Sequence, residues 1–297
     1  MPELFVIQNP AAGMRSPERL RRRIESALAT RGVTYEHEYT KAPGHGTELV
    51  RQALAEGFRR VLVVGGDGTA LEAICVLAGS EVALALLPVG TGNQLAANLG
   101  VPKHLGRSID VALNGGVRRI DVGVINGRPF SSMAGAGFDA KVVGPEAQLK
   151  RRLGYLAYVH AATVAALSPK VATLRVSVDG EAVVGRGVGV EVANMPALTV
   201  PGLRRPVPII PGGRMDDGKL DGCLLAAETT RDCLTALGCI LTRRYEQSSR
   251  LLYFSGRKIV VEADPPLPVQ ADGEQLGMTP FTATVWPGAL SVMVPAR

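Results

Sequence analysis

One stretch restricts the fold more than any other. Val61-Leu62-Val63-Val64 runs into Gly65-Gly66-Asp67-Gly68-Thr69 and then into Ala70-Leu71-Glu72-Ala73-Ile74-Cys75-Val76-Leu77. Four apolar, mostly β-branched residues predict a buried strand. Gly65, Gly66 and Gly68 predict a tight turn that a ligand can approach along the backbone. A helix follows, so free N–H groups and the positive end of a helix dipole meet at the loop. That is an anion site, most often one for phosphate. Asp67 stands out in it, because a carboxylate repels phosphate unless a cation or a hydroxyl proton lies between them. It points to metal-assisted phosphoryl transfer, since an acid in such a loop has little purely structural purpose. Two common loops are excluded. The stretch lacks the Lys-Ser/Thr ending of a Walker A loop, and bulky Leu71 breaks the dinucleotide fingerprint at its third position.

The surrounding chain repeats the pattern. Leu4-Phe5-Val6-Ile7 predicts a strand followed by a turn at Asn9-Pro10-Ala11-Ala12-Gly13. Ser16-Pro17 predicts a helix start, with Leu20, Ile24, Ala27 and Leu28 on its apolar face and Arg19 and Arg21 to Arg23 on a solvated one. Val33 to Tyr39 predicts a strand ending at Thr40, and Thr47 to Glu56 a helix. Val82 to Leu87 predicts another buried strand before a second glycine loop, Pro88-Val89-Gly90-Thr91-Gly92-Asn93-Gln94. This alternation implies a parallel sheet with right-handed crossovers. Loops after parallel strands lie on one edge, so the Asn9, Thr40, Asp67 and Thr91 loops are expected to converge there.

The texture changes after Asp121, which predicts one α/β domain over residues 1–121 and a second over 122–297. Asn126-Gly127 and Asp179-Gly180 are hairpin signals. A long helical pattern covers Pro145 to Leu167, with Leu149, Leu153, Leu156 and Val159 inward. Strands are expected at 122–125, 129–132, 171–178, 183–193, 220–226, 251–254, 258–262, 267–270, 281–286 and 290–294, with a short helix at 231–242. Mostly antiparallel strands predict a β-sandwich.

Composition narrows the partners. A formal net charge of +6 suits an acidic partner such as a nucleotide or an anionic lipid surface. Aromatic residues make up only 4% of the chain, which gives no stacking platform for single-stranded nucleic acid. The basic residues are dispersed and no nucleic-acid-binding motif occurs, so no nucleic-acid partner is expected. Cys75, Cys223, Cys233 and Cys239 lack zinc spacing and are expected to be buried free thiols in a reducing compartment. With no signal-like start and no span of ~18 apolar residues, a cytoplasmic protein is expected. Lys150-Arg151-Arg152, Arg204-Arg205 and Arg243-Arg244 are compatible with peripheral membrane contact and equally with a solvated surface. Trp286 is expected in the core.

Asp217-Gly218 and Asp272-Gly273 read by themselves as turns. Taken with the rest, they complete a family pattern. Asn9–Gly13, Gly65–Thr69, Pro88–Asn93, Ala134-Gly-Ala-Gly-Phe-Asp-Ala140, Leu153-Gly-Tyr-Leu-Ala-Tyr158, Asp217-Gly-Lys-Leu-Asp221 and Ala271-Asp-Gly-Glu274 occur in one order across nearly the whole chain. This set resembles the bacterial diacylglycerol kinase family, relatives of the sphingosine kinases with an NAD kinase-like fold. The resemblance implies an ATP-dependent lipid kinase, most simply one converting diacylglycerol to phosphatidic acid. It implies an ATP site built from Asn9, Thr40, Gly65, Gly66, Asp67, Gly68, Thr69, Thr91 and Asn93, with Asp67 holding Mg²⁺ or orienting the acceptor. It implies Asp272 as general base, with Glu274 a lesser candidate. A second, structural Mg²⁺ would sit on Asp217 and the carbonyls of Arg214 and Lys219. A homodimer stays open. Gln94 departs from the family's usual acid after Asn93, and the segment after Asn194 departs as well. The alternatives are an NAD kinase, whose Asn-Glu pair is missing here, and a nucleotide-binding regulator without catalysis.

Overall fold

The apolar runs of the first half become inner strands of a parallel sheet in a computed structural model that describes residues 3–13, 16–137, 167–199 and 206–296. These strands are β1 (Leu4–Gln8), β2 (Tyr35–Tyr39), β3 (Arg60–Gly65) and β4 (Ala83–Pro88). They lie in the order β2-β1-β3-β4, and each pair of neighbours is parallel. The helices α1 (Pro17–Ala29), α2 (His45–Ala55) and α3 (Asp67–Leu77) connect them, and α4 (Gln94–Asn98) and α5 (Leu105–Asn114) follow β4. Every residue of β1 and β4 is buried, because helices cover both faces of the sheet. On one face Leu4, Val6, Leu62 and Leu87 share a core with Ile24 and Leu28 of α1 and Ile109 of α5. The alternate residues Phe5, Ile7, Val61 and Val63 are buried on the side of α2 and α3. Ser16 is the N-cap of α1, but its hydroxyl donates to Glu18 and caps no backbone group. Arg19, Arg22 and Arg23 are solvated, whereas Arg21 pairs with Glu25 at 2.7 Å and lies over the Tyr39 ring.

Tertiary contacts group Met1–Val122 with Gly288–Arg297 as one unit, and Gly123–Pro287 as another. The second unit is an antiparallel β-sandwich. β5 (Gly116–Ile125) and β6 (Arg128–Phe130) form the hairpin at Asn126-Gly127. Further strands are β7 (Met133–Gly137), β8 (Ala172–Val178), β9 (Glu181–Gly187), β10 (Gly189–Ala193), β11 (Ala197–Leu198), β12 (Val207–Pro208) and β13 (Leu220–Leu225). After α6 (Thr230–Thr242) come β14 (Leu251–Gly256), β15 (Lys258–Asp264), β16 (Pro268–Ala271), β17 (Glu274–Met278) and β18 (Phe281–Val294). One sheet runs β14-β13-β10-β7-β16-β17. In the other, β15 pairs with β8 and with the first residues of β18, and β8 pairs with β9. Phe130, Leu174, Val176, Val190, Val192, Val261, Val269 and Phe281 fill the space between them.

The structure departs from the sequence expectation in several places. The single strand expected over 183–193 is two strands, β9 and β10, which pair in different sheets. The switch falls at Gly187, where a Cβ would collide with the Leu225 carbonyl, and the Val188 N–H donates to that carbonyl at 3.1 Å. Conversely, the strands expected at 281–286 and 290–294 are one. Gly288 lets β18 continue at φ +54°, its N–H donates to Asp121 at 2.7 Å, and Arg119 Nε donates to its carbonyl at 2.9 Å. The end of β18 then pairs in parallel with β4, Val292 opposite Leu84. Trp286 is 44% exposed on this strand, so it is not a core residue. Cys75, expected to be buried, is likewise exposed on α3, whereas Cys223 and Cys233 are buried; none of the four cysteines forms a disulfide. The expected helix over 145–167, apart from its last residue Leu167, and the basic residues at 150–152 and 204–205 lie outside the described residues. Among the described residues, no helix is long and apolar enough to cross a membrane.

One buried histidine makes the first unit sensitive to acid. His37 on β2 is 6% exposed, and its Nε2 pairs with Gln8 Oε1 at 2.9 Å. Burial, aided by the Arg21 charge, lowers its pKa to about 4. The folded state therefore refuses a proton that the unfolded chain accepts near pH 6.5. Stability is full above pH 6.5 and falls as the pH drops towards 4, by up to about 3 kcal/mol. Urea unfolding at pH 7 and pH 4.5 should show this loss, and His37→Gln should remove most of the difference.

Candidate functional site

The carboxyl ends of β1, β3 and β4 bring three of the expected loops together. Two glycine loops touch backbone to backbone. A Cβ on Gly90 would come 2.6 Å from the Gly66 Cα, and one on Gly65 would come 2.8 Å from the Thr69 side chain. A Cβ on Gly13, at φ +82°, would meet the Val89 carbonyl at 2.9 Å. These glycines are required by contacts within the chain. Gly68 is different: it is exposed, has an ordinary helical φ, and a Cβ there would meet nothing within 4 Å. Among the described residues no contact asks for glycine in the first turn of α3, where glycine is a poor helix former.

Four helices, α1 to α4, begin at this edge, and their first N–H groups have different fates; the start of α1 carries no side-chain cap. Glu72 closes the start of α2. Its carboxylate accepts from Gly44 N–H at 2.9 Å and from Gly46 N–H at 2.8 Å. Asp67 closes the start of α4, accepting from Leu95 N–H at 3.2 Å. The start of α3, beside the meeting point of the two glycine loops, has no side-chain cap either, so its first-turn N–H groups and dipole are open to an anion there. Glu72 was not legible as a site residue, because its partners lie 26 and 28 positions earlier.

The expected nucleotide residues divide accordingly. Asn9 Nδ2 donates to Thr69 Oγ at 3.0 Å, and Asn9 Oδ1 accepts from Ala11 N–H at 2.9 Å, so both side chains tie the loops together. Asn93 sits at φ +54° as the N-cap of α4 and donates to the Gly90 carbonyl at 2.6 Å. Thr40 continues the ladder, its N–H donating to the Gln8 carbonyl at 3.0 Å. The hydroxyls of Thr40 and of exposed Thr91 make no hydrogen bond among the described residues.

Asp67 has a structural reason after all, contrary to the reading of the loop alone, since it holds the start of α4. Burial pushes its carboxyl up in pKa, against the N–H groups of Leu95, Gln94 and Asn93, which favour the ionised form. Gly92 leaves space beside its other oxygen, where a Cβ would stand 2.8 Å away. A single carboxylate beside anion-binding N–H groups fits Mg²⁺, which takes one or two carboxylates and completes its shell with phosphate and water. Among the described residues no three His, Cys, Asp or Glu side chains cluster as a self-sufficient metal site.

Asp217 is exposed and its Oδ1 accepts from Lys219 N–H at 3.1 Å, which is the turn reading. Arg214 is exposed too and its guanidinium pairs with Asp216 at 3.1 Å. Burial pushes the nearby Asp221 carboxyl up, and the Asp217 charge adds to that rise. Two mutually repelling carboxylates are a feature that a hard cation suits.

Asp272 lies in the second unit, at φ +46° in the turn between β16 and β17, followed by Gly273 at φ +93°. Its carboxylate is turned onto the chain between β6 and β7. Oδ2 accepts from Ser131 N–H at 2.6 Å and Ser131 Oγ at 3.0 Å; Oδ1 accepts from Ser132 N–H at 2.8 Å and Met133 N–H at 3.1 Å. Burial pushes its pKa up, against these four donors. Glu274 points elsewhere, to an exposed ion pair with Arg128 at 3.1 Å.

Comparison with known proteins agrees with this architecture. Residues 3–125 match the diacylglycerol kinase catalytic domain, and residues 132–294 match the YegS C-terminal NAD kinase beta sandwich-like domain. A Pseudomonas aeruginosa protein named "Probable lipid kinase YegS-like" is 32% identical over 99% of this chain and 94% of its own. A "Diacylglycerol kinase" of Bacillus subtilis is 25% identical over 93% of this chain and 90% of its own. The crystal structure of a diacylglycerol kinase from Bacillus anthracis superposes with a TM-score of 0.81 at 24% identity, over 99% of this chain and 97% of that one, and supports the fold. The chain therefore belongs to the diacylglycerol kinase and YegS-like family of lipid kinases, phosphotransferases that act on an alcohol.

Proposed function

We propose that this kinase transfers the γ-phosphate of ATP to the free hydroxyl of diacylglycerol, giving phosphatidic acid. The observation that carries the nucleotide half is Gly68, a glycine at the uncapped start of α3 where an added Cβ would meet nothing within 4 Å among the described residues. Phosphate oxygens would take the first-turn N–H groups of α3, with the hydroxyls of Thr40 and Thr91 as further donors. Asp67 would hold Mg²⁺, which neutralises charge on the β- and γ-phosphates when bound. The Asp217 turn, with the Arg214 and Lys219 carbonyls, would hold a second ion of structural role. Asp272 would take the proton of the lipid hydroxyl as that oxygen bonds to the γ-phosphorus, while the bond to the β-phosphate oxygen breaks and ADP leaves. Dispersed basic residues such as Arg243 and Arg244 suit peripheral contact with the anionic membrane that holds the substrate.

The direct test is transfer of labelled γ-phosphate from ATP into a total lipid extract with Mg²⁺. Labelled phosphatidic acid is expected, and Asp272→Asn should lower the rate about 100-fold or more. Label in a sphingoid base or ceramide would replace diacylglycerol as acceptor; label in NAD alone would sink the lipid reading.

Gly68→Ala separates a ligand role from a structural one. It should raise the melting temperature slightly, because alanine stabilises a helix by up to about 1 kcal/mol over glycine. It should nevertheless weaken ATP binding about tenfold, read by calorimetry. Unchanged affinity would remove the phosphate site from this loop.

The threonines should behave as two classes. Thr91→Val should weaken ATP about 10- to 100-fold with stability intact, as expected for a hydrogen bond to a charged group. Thr69→Val should instead destabilise the fold by about 1 kcal/mol through the lost Asn9 bond, and denaturant midpoints will tell the two apart.

A further inference from the structure

The Asp272 turn has two counterparts in the same unit. Asn126-Gly127 and Asp179-Gly180 also pair a non-glycine residue at positive φ with a glycine at positive φ. In both, the first side chain reaches a neighbouring strand. Asn126 Oδ1 accepts from Thr282 N–H at 2.9 Å, and Asp179 accepts from Lys258 N–H at 2.8 Å and Arg257 N–H at 3.0 Å. These contacts use main-chain donors alone. Such a turn is thus complete without a hydroxyl, and at Asp272 three main-chain donors already supply the same service. The Ser131 hydroxyl is an addition that only the Asp272 turn has among the three.

The addition matters because an ionised carboxylate offers about four acceptor positions, and Asp272 fills them with four donors. A filled carboxylate has no lone pair for an incoming proton. Three of its donors cannot leave. The Ser132 carbonyl is held by Asn194 N–H at 2.9 Å and the Met133 carbonyl by Asp272 N–H at 2.8 Å, and Phe130 just before them is fully buried. Turning those amides would break the pairing of β7 with β10 and β16. The Ser131 hydroxyl alone sits on a single rotatable bond.

We propose that Ser131 is a positioning residue for Asp272, its hydroxyl guarding one acceptor position on Oδ2 and yielding it to the hydroxyl of the lipid. This rests on the reading of Asp272 as the base. The lipid O–H then donates to Oδ2 and, as its oxygen bonds to phosphorus, leaves its proton there; Ser131 keeps its own proton throughout. The charges around the turn are few. β7 and β16 carry none, Glu274 on β17 is paired with Arg128 of β6 at the surface, and Glu191 lies on β10 beyond β7. Asp272 therefore feels burial first, and against it the donors of residues 131–133.

The test combines a ¹³C-carboxyl NMR titration of the protein without substrate and pH profiles of kcat/KM with ATP, Mg²⁺ and a short-chain diacylglycerol. Removing a donor to the ionised form disfavours that form, so Ser131→Ala should raise the Asp272 midpoint by about half a unit or more. The acid limb of kcat/KM should move up with it. Above that limb kcat should stay within about threefold of wild type, because the guarded position is now open. Ser131→Thr, which keeps the hydroxyl, should leave both midpoints in place. An unmoved midpoint in Ser131→Ala overturns the proposal. So does a kcat lower by about 100-fold at every pH in a variant that melts like wild type, since Ser131 would then carry the proton itself. If Asp272→Asn keeps full rate, the base reading fails, and the hand-over with it, whatever the titration shows.

Discussion

Close backbone approach between two loops is the constraint on which the first unit's site depends. Gly66 and Gly90 come so near that neither β3–α3 nor β4–α4 could keep its path with a side chain at residue 90. That approach sets the starts of α3 and α4 side by side and lets Asp67, in the first turn of α3, reach the N–H groups of α4. The Asn9–Thr69 bond and Gly13 against Val89 fasten the β1 loop to the same point. Most of the polar residues at the edge are thus scaffolding. What remains for a ligand beside the glycine loops is small: the uncapped start of α3, Gly68, and two threonine hydroxyls.

The edge also shows how a chain chooses among its own anion sites. Every helix start offers N–H groups and a positive dipole end. Here Glu72 takes the start of α2 and Asp67 that of α4, both with the chain's own carboxylates. Filling two of the competing sites internally narrows where an external phosphate could bind. In the second unit the same chemistry serves the hairpins, where the side chains of Asn126, Asp179 and Asp272 each pin a neighbouring strand. Asp272 is therefore a structural residue and a candidate base at once. The raised pKa that burial gives it suits proton transfer only once a lone pair is released.

The sequence by itself determined the parallel sheet, the two glycine loops and the hairpin turns. Those features follow from local physics: continuous apolar runs demand burial on both faces, and Asn-Gly or Asp-Gly accepts two positive φ angles in succession. Only the tertiary structure decided which polar residues are free. Thr69 and Thr91 look alike as hydroxyls in glycine loops, yet one is buried on Asn9 and the other is open. Glu72 and Ser131 carried no local signal, because their partners lie 26 to 28 and 141 positions away. The strand break at Gly187 and the unbroken β18 were invisible for the same reason, being set by the Leu225 carbonyl and by Asp121 rather than by neighbours in sequence. A hydrogen bond forms with whatever donor the fold brings within about 3 Å, and sequence distance says nothing of that.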